Sequence, residues 1–352
     1  MSRKSNEPTR VLGALRLVAL LAAFGLLCLP AAGAAADKRA GRCTATAKAL
    51  FTACGFDVKD NWWVESAKCI NVADDGERAD CSTDAAQARK ESDRECLAQL
   101  SWRLEACDAL GEERYDPDFD PLLFDSDFAH LTHPNPYYPL RVGNRWEYTS
   151  ADETNTVEVL DETKLINGLR CIVVHDVVFS HGELKEDTDD WFAHAKDGTV
   201  WYCGEETKSY GSFAGDAPRL PELVSIDGSF KAGRDGSKAG IIFLADPEPG
   251  DTYLEEFALG EAEDMTEILS TSYSFGHSAE LDEMVPAALA QALCSGDCVV
   301  TRNISLLEPG VEERKYYAAG IGVFLEVEPE DGVVVRLTAC NVDPRCVTLP
   351  QP

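Results

Sequence analysis

Apolar positions along this 352-residue chain change their spacing three times, and each change marks a segment. Residues 17–29 are almost continuously apolar. Arg3, Lys4, Arg10 and Arg16 precede them, and Pro30 with the small residues 31–36 follows. A charged start, a short apolar core and an A-x-A site predict a secretory signal peptide over 1–36, cut before Asp37. From residue 37 to 111 the spacing is helical. Cys43, Ala47, Leu50 and Cys54 fall on one stripe, as do Cys96, Leu100, Leu104 and Cys107. Eleven residues make about three turns, so both sulfurs of each set share a face. The second helix is expected to start at Asp84, with Gln87 three positions on, and to stop at Gly111. Residues 112–139 then carry Pro117, Pro121, Pro134, Pro136 and Pro139, which remove backbone donors and oppose a helix. This stretch reads as a linker or an extended strap laid on the next domain.

Beyond residue 140 the period falls to two. Alternation runs through 145–148 and 156–159, and 171–179 is apolar on nearly both faces, as in a central strand. Runs at 191–195 and 199–202 flank Asp197-Gly198, a hairpin turn signal. Further runs lie at 241–244, 265–269, 299–307, 316–317, 323–327 and 333–337, whereas the glycine-rich 211–240 reads as a long surface loop. About ten to twelve turn-separated strands imply an antiparallel sheet, open barrel or sandwich. The fold expected is α+β in two parts. A disulfide-linked α-helical hairpin (37–111) and the strap (112–139) precede an all-β domain (140–343), a curved antiparallel sheet forming a half-barrel or open barrel. A short tail (344–352) ends the chain.

Cysteine usage agrees with export. Losing Cys28 with the signal leaves twelve, an even number, and oxidising compartments let pairs persist. Cys43, Cys54, Cys69, Cys81, Cys96 and Cys107 lie in the helical part. Two antiparallel helices with Cys-x10-Cys faces prefer Cys43 with Cys107 and Cys54 with Cys96, leaving Cys69 to meet Cys81. Six cysteines allow 15 connectivities, so this is a geometric preference. No Cys-x2-Cys pair and no histidine occur there, which disfavours zinc. In the β part Cys294 and Cys298 form a tight local loop, and Cys340 and Cys346 another. Cys171 and Cys203 remain, to pair between neighbouring strands or stay as buried thiols.

A formal net charge of −30 repels phosphate backbones and anionic bilayers, excluding nucleic-acid binding. Cations or a basic protein partner are what such a field attracts, and solubility alone also accounts for it. No segment after the signal is long and apolar enough to span a bilayer, so no transmembrane anchor is expected after cleavage. The protein is expected in the periplasm or outside the cell.

Seven blocks together carry a resemblance: LGEERYDPDFDP, NPYYPLRVGNRWEY, TKLINGLRCIVVHD, EDTDDWFAHAKDGTVWYCGE, GSFKAGRDGSKAGIIFLADPEPGDTY, GEAEDMTEILS and LEPGVEERKYYAAGIGVFLEV. In this order they resemble an uncharacterised family of exported bacterial proteins, over most of residues 109–330. That family brings no catalytic residues to carry over. The PLxxGxxW entry and the late YYAxGIG strand are also similar, more loosely, to half-barrel proteins resembling periplasmic lipoprotein carriers. This likeness implies a curved sheet.

Chemistry is sparse. No G-x-S-x-G, H-E-x-x-H, S-x-x-K or phosphate-loop run occurs. His130, His133, His175, His181, His194 and His277 include no i, i+4 pair. Asp116, Asp118 and Asp120 alternate on an irregular segment, a pattern that suits calcium, although Pro121 stands where an EF-hand needs glycine. A solvated acidic linker is the plainer reading, and calcium is the one cofactor the pattern admits. Trp146, Tyr148, Trp191, Trp201 and Tyr316 lie on expected strands, where they would line a ligand pocket or build the core. Three functions follow. The leading one is a non-enzymatic exported protein binding an apolar ligand or a protein partner on its curved sheet. A secreted hydrolase of extracellular polymer, using carboxylates such as Asp189 and Glu261, is the second. The third is a calcium-stabilised surface or matrix protein.

Overall fold

The computed structural model describes residues 41–351, so the expected signal peptide and its cleavage site lie outside the described residues. Helix α1 spans Arg42–Ile70 and α2 spans Asp75–Leu110. Neither holds proline, and α1 has one glycine, Gly55, with α2 starting over Gly76. Asp74, not Asp84, caps α2: its carboxylate accepts from the amides of Gly76 and Glu77 at 2.8 and 3.0 Å. Asp75 and Glu77 stand in the first turn of the helix, where acidic groups favour the exposed amides. Gly111 ends it at φ 95°, a conformation that side chains disfavour. Disulfides Cys43–Cys107, Cys54–Cys96 and Cys69–Cys81 rung the two helices from the open end to the turn.

The rest is one antiparallel sheet of fifteen strands. Strands β1 (Arg145–Thr149), β2 (Glu153–Ile166), β3 (Leu169–Ser180), β4 (Glu183–His194) and β5 (Val200–Gly211) form a meander. The segment expected as a bare loop supplies β6 (Glu222–Ser225) and β7 (Phe230–Lys231), which both pair with β5, and then β8 (Lys238–Phe243). Their brevity and their glycines hide them from a periodicity reading. After β9 (Thr252–Leu254) and β10 (Glu256–Phe257) comes a second meander. It comprises β11 (Asp264–Tyr273), β12 (Cys298–Ser305), β13 (Glu312–Ala318), β14 (Gly322–Glu328) and β15 (Val333–Cys340). Between β11 and β12 lies the short helix α3 (Ala287–Leu293), which the strand-like spacing did not announce. β15 pairs with β1, joining the two meanders.

β9 and β10 are the two ends of this sheet, yet Glu255 alone separates them in the chain. The sheet therefore curls until it nearly closes. At the seam β8 crosses the β9–β10 backbone so tightly that a Cβ on Gly240 would overlap the carbonyl oxygen of Glu255. Only glycine permits that approach.

Both faces of the sheet are used. Outside β12–β14, Leu289, Ala290 and Leu293 of α3 pack in one cluster with Val300, Tyr316 and Leu325. Outside β9, β11 and β12, the α2 residues Trp102, Ala106 and Leu110 meet Leu254, Met265, Ile304 and Leu306. The strap lies along β4: Phe124 bridges Ala195, and the amide of Asp125 donates to His194 O at 2.9 Å. Cys171 and Cys203 do bond, but from β3 to β5 across β4 and not between adjacent strands. Cys294–Cys298 and Cys340–Cys346 close the two local loops. The six disulfides among the described residues place the chain in an oxidising, exported environment. Among the described residues no helix is long and apolar enough to cross a membrane.

Candidate functional site

The residues singled out from sequence do not converge. Trp146 and Tyr148 alternate inward on β1 and line a cavity inside the barrel. Their polar ends are tied off, Nε1 to Ile321 O at 2.7 Å and the hydroxyl to Val323 O at 3.0 Å. Tyr316 faces the other way, donating to Leu281 O beneath the α3 segment at 2.7 Å. Trp191 sits in the outer cluster with the Cys171–Cys203 bridge, its ring covered by Lys164 and Lys231 ammonium groups at 3.9 and 4.2 Å. Trp201 packs edge-on against Phe119 of the strap.

The acidic run of the strap is likewise dispersed. Asp116 bonds Lys238 at 2.6 Å, Asp118 is exposed, and Asp120 caps a short 3-10 turn through the amide of Leu122. Among the described residues no three His, Cys, Asp or Glu side chains come together to hold a metal ion. Glu261 lies exposed in the turn after β10, while Asp189 points to the face of β4 opposite its cavity-lining neighbours Asp190 and Phe192. His175 meets Asp187 across the strand at 3.3 Å rather than its neighbour Asp176. His194 is buried against Asp125 at 3.1 Å; burial holds the imidazole below its ordinary pKa, with the aspartate opposing. This pair clips the strap to β4.

Two concavities stand out. The larger, ≈ 450 Å³, opens between the helical hairpin and the sheet seam. Leu50, Ala106, Leu110, Leu254, Phe257 and Leu306 are among the apolar side chains that predominate in its wall, and Arg42, Arg103, Glu113, Arg114, Glu256 and Glu263 are its charged groups. Its geometry is held by Arg103, whose guanidinium grips Glu263 with two bonds of 2.7 and 2.9 Å. Both partners are buried, at 5% and 3% exposure, so α2 cannot leave the sheet without exposing an ion pair made for a dry site. Gln99 adds a bond to Leu307 O at 2.8 Å, and the Tyr115 hydroxyl one to Ala239 O.

The smaller cavity, ≈ 180 Å³, is the inside of the barrel. Its wall is mostly apolar but not wholly so. Asp176, Asp190 and Glu326 line it together with Lys315. Burial pushes Asp176 up to about 6 and, helped by Glu313, Glu326 up to about 8. Burial and then Glu205 hold Asp190 well above the carboxylate range, and Glu205 itself is pushed up to about 7. Burial acts against charge on Lys315, yet Glu313, Glu326 and Glu255 together keep it protonated well beyond its usual pKa. None of these acids was among the candidates that the sequence pattern singled out. A signal was there: Asp176 follows Val174 by two, Asp190 precedes Phe192 by two, and Lys315 precedes Tyr317 by two. Period-two spacing puts each on the face of an inward apolar neighbour.

Comparison of the chain with protein-family models, with curated proteins and with solved structures finds no match.

Proposed function

We propose that this protein is a non-enzymatic exported carrier that holds an apolar ligand between its helical hairpin and the rim of its sheet. The observation that carries the reading is the ≈ 450 Å³ concavity. Its size lies in the range of small-molecule sites, and its wall is mostly aliphatic and aromatic with a few polar groups, the usual composition of such a site. The looser similarity of the entry and YYAxGIG motifs to half-barrel proteins resembling periplasmic lipoprotein carriers supports the curved sheet whose rim forms one wall, with the ligand moved from the concave face to the seam. An interior lined by carboxyl groups is a poor host for an apolar body, because their desolvation would have to be offset. Release into the periplasm or beyond the cell fits a ligand gripped without a covalent step.

The test is retention of lipid. Purified protein is exposed to a membrane-lipid extract, desalted and examined by mass spectrometry, beside Thr46→Trp, which fills the concavity from a half-buried position on α1. Wild type should retain a lipid and displace an environment-sensitive fatty probe, while T46W binds the probe roughly tenfold more weakly. Equal binding by both proteins, or no lipid retained by either, overturns the reading.

A further inference from the structure

We propose that the Asp176–Asp190 end of the barrel interior is a binding site for a small primary ammonium ion, separate from the apolar concavity at the seam. The inference starts from how the cavity divides its charge. Among the described residues Lys315 is the only cation lining it, and its ammonium lies 3.2 Å from Glu313 and faces Glu326 across the β13–β14 pair. That end is balanced by its own residues. At the other end Asp190 accepts from the Tyr202 hydroxyl and is acted on by Glu205 and Glu186, while Asp176 feels Glu186 ahead of the opposing His175 and Lys315, so carboxyl groups outnumber cations there. His175 is next to Asp176 in the chain but turns outward to Asp187.

Hydrogen bonding gives an independent sign. The Asn155 amide nitrogen donates to Asp176 Oδ2 at 3.3 Å, which orients the amide, since the reverse would set two oxygens against each other. The remaining oxygens, Asn155 Oδ1 and Asp176 Oδ1, are both buried and receive no donor. Buried acceptors without a donor cost about 1–3 kcal/mol each, and both belong to residues that line the cavity. What is absent is therefore a donor, and one carrying positive charge would also hold as carboxylates the acids that burial otherwise drives toward the protonated form. Aromatic rings complete the case: Trp146, Tyr148 and Phe192 border the same cavity, and ring faces attract cations. A bare metal ion fits less well, because no three ligating side chains converge among the described residues. A primary ammonium group carries three N–H donors on one positive centre, enough for both free oxygens and a carboxylate. The cavity of ≈ 180 Å³ leaves room for a short organic body behind it.

Calorimetric titration of the full mature protein with three probes of similar shape tests this: benzylammonium, benzyl alcohol and benzyltrimethylammonium. Saturable one-to-one binding of benzylammonium, with both others weaker by roughly tenfold or more, is expected from the loss of charge in one and of N–H donors in the other. Asp176→Asn should weaken benzylammonium by a similar factor while leaving the fatty probe at the seam unaffected. Should D176N fail to fold, the three-probe comparison on wild type decides alone. No saturable benzylammonium binding, or equal binding of the alcohol, overturns the proposal. Loss of lipid retention would touch only the carrier reading, so the two failures are distinguishable.

Discussion

The hairpin and the sheet solve the same problem with different means. In α1 and α2 the buried positions are Ala47, Val58, Ala85, Arg103, Ala106 and three cysteines, so little apolar area leaves water. Phe56 and Trp63 remain about two-thirds exposed, at 64% and 65%, because two helices offer each other only one narrow face. Covalent rungs hold that pair together. The sheet instead buries large side chains outright: Trp191, Tyr316, Tyr317, Phe243 and Phe324 are among those nearly sealed from solvent. Its disulfides close over structure that packing already supports. A bridge thus matters in proportion to the core that is missing beside it.

Replacing the six hairpin cysteines by serine should break this contrast most sharply. Bridges closing separations of 64 and 42 residues contribute about 4 kcal/mol each by loop-closure entropy, and the 12-residue one about 3. Far-ultraviolet circular dichroism is expected to lose its helical component while the sheet signal persists; a hairpin that stays helical would show hidden packing. The reverse lesion, Phe324→Ala, should destabilise the sheet by about 4 kcal/mol in denaturant titrations and leave the hairpin helical.

The joint between the two regions comes next. Arg103→Ala strands Glu263 in a dry site and should cost about 3 kcal/mol, seen as faster hydrogen exchange in α2 and β9. Arg103→Met with Glu263→Leu should recover most of that loss, since an apolar pair of similar volume needs no desolvation. Recovery in the double variant separates packing from charge.

The smallest effect expected is that of pH, and it belongs to the sheet. Asp176, Glu205 and Glu326, raised to about 6, 7 and 8, bind protons more tightly folded than unfolded. Their stabilisation is complete below about pH 4 and is lost as pH climbs through 6 to 8. His194, held low by burial, acts oppositely below about pH 6.5, and Lys231, lowered to about 8 by burial and Lys164, acts oppositely only above that value. Acids held low, such as Asp125 and Asp343, matter only below about pH 4. The melting temperature of the sheet should therefore fall by on the order of 5 °C between pH 5 and pH 8, with the hairpin unmoved. A flat profile would mean that these carboxyl groups are paired in ways the cavity does not show.

Legibility from sequence followed the range of the forces involved. The Cys-x10-Cys stripes and the alternating runs are local patterns, and local geometry turns them into helices and strands. Helix α2 began ten residues earlier than expected because Asp74 and Asp84 are equally good caps in isolation. Only the Cys69–Cys81 bridge and the sharp return of the chain select the first. Strands β6 and β7 were invisible since each is too short to show a period, and β5 is what makes them strands. The candidate aromatics scattered to both faces for a related reason. Trp191 and Tyr316 each stand one place from an inward-facing residue, Phe192 and Tyr317, so alternation turns them outward, and residue type alone does not say which parity faces in.

The amino-acid order alone settled what depends on near neighbours: the long helical and β segments, an even cysteine count that favours oxidising surroundings, and a surplus of negative charge. Which charges face inward was decided only by folding. Asp176 and Asp190 neighbour each other on β3 and β4, but Lys315 is far along the chain on β13, and it shares their cavity because the sheet curls far enough for opposite strands to face each other. The seam concavity likewise exists only because Arg103 of α2 and Glu263 at the start of β11, 160 residues away, close on each other. Contacts of that span are chosen by the whole packed molecule, and no local pattern encodes them.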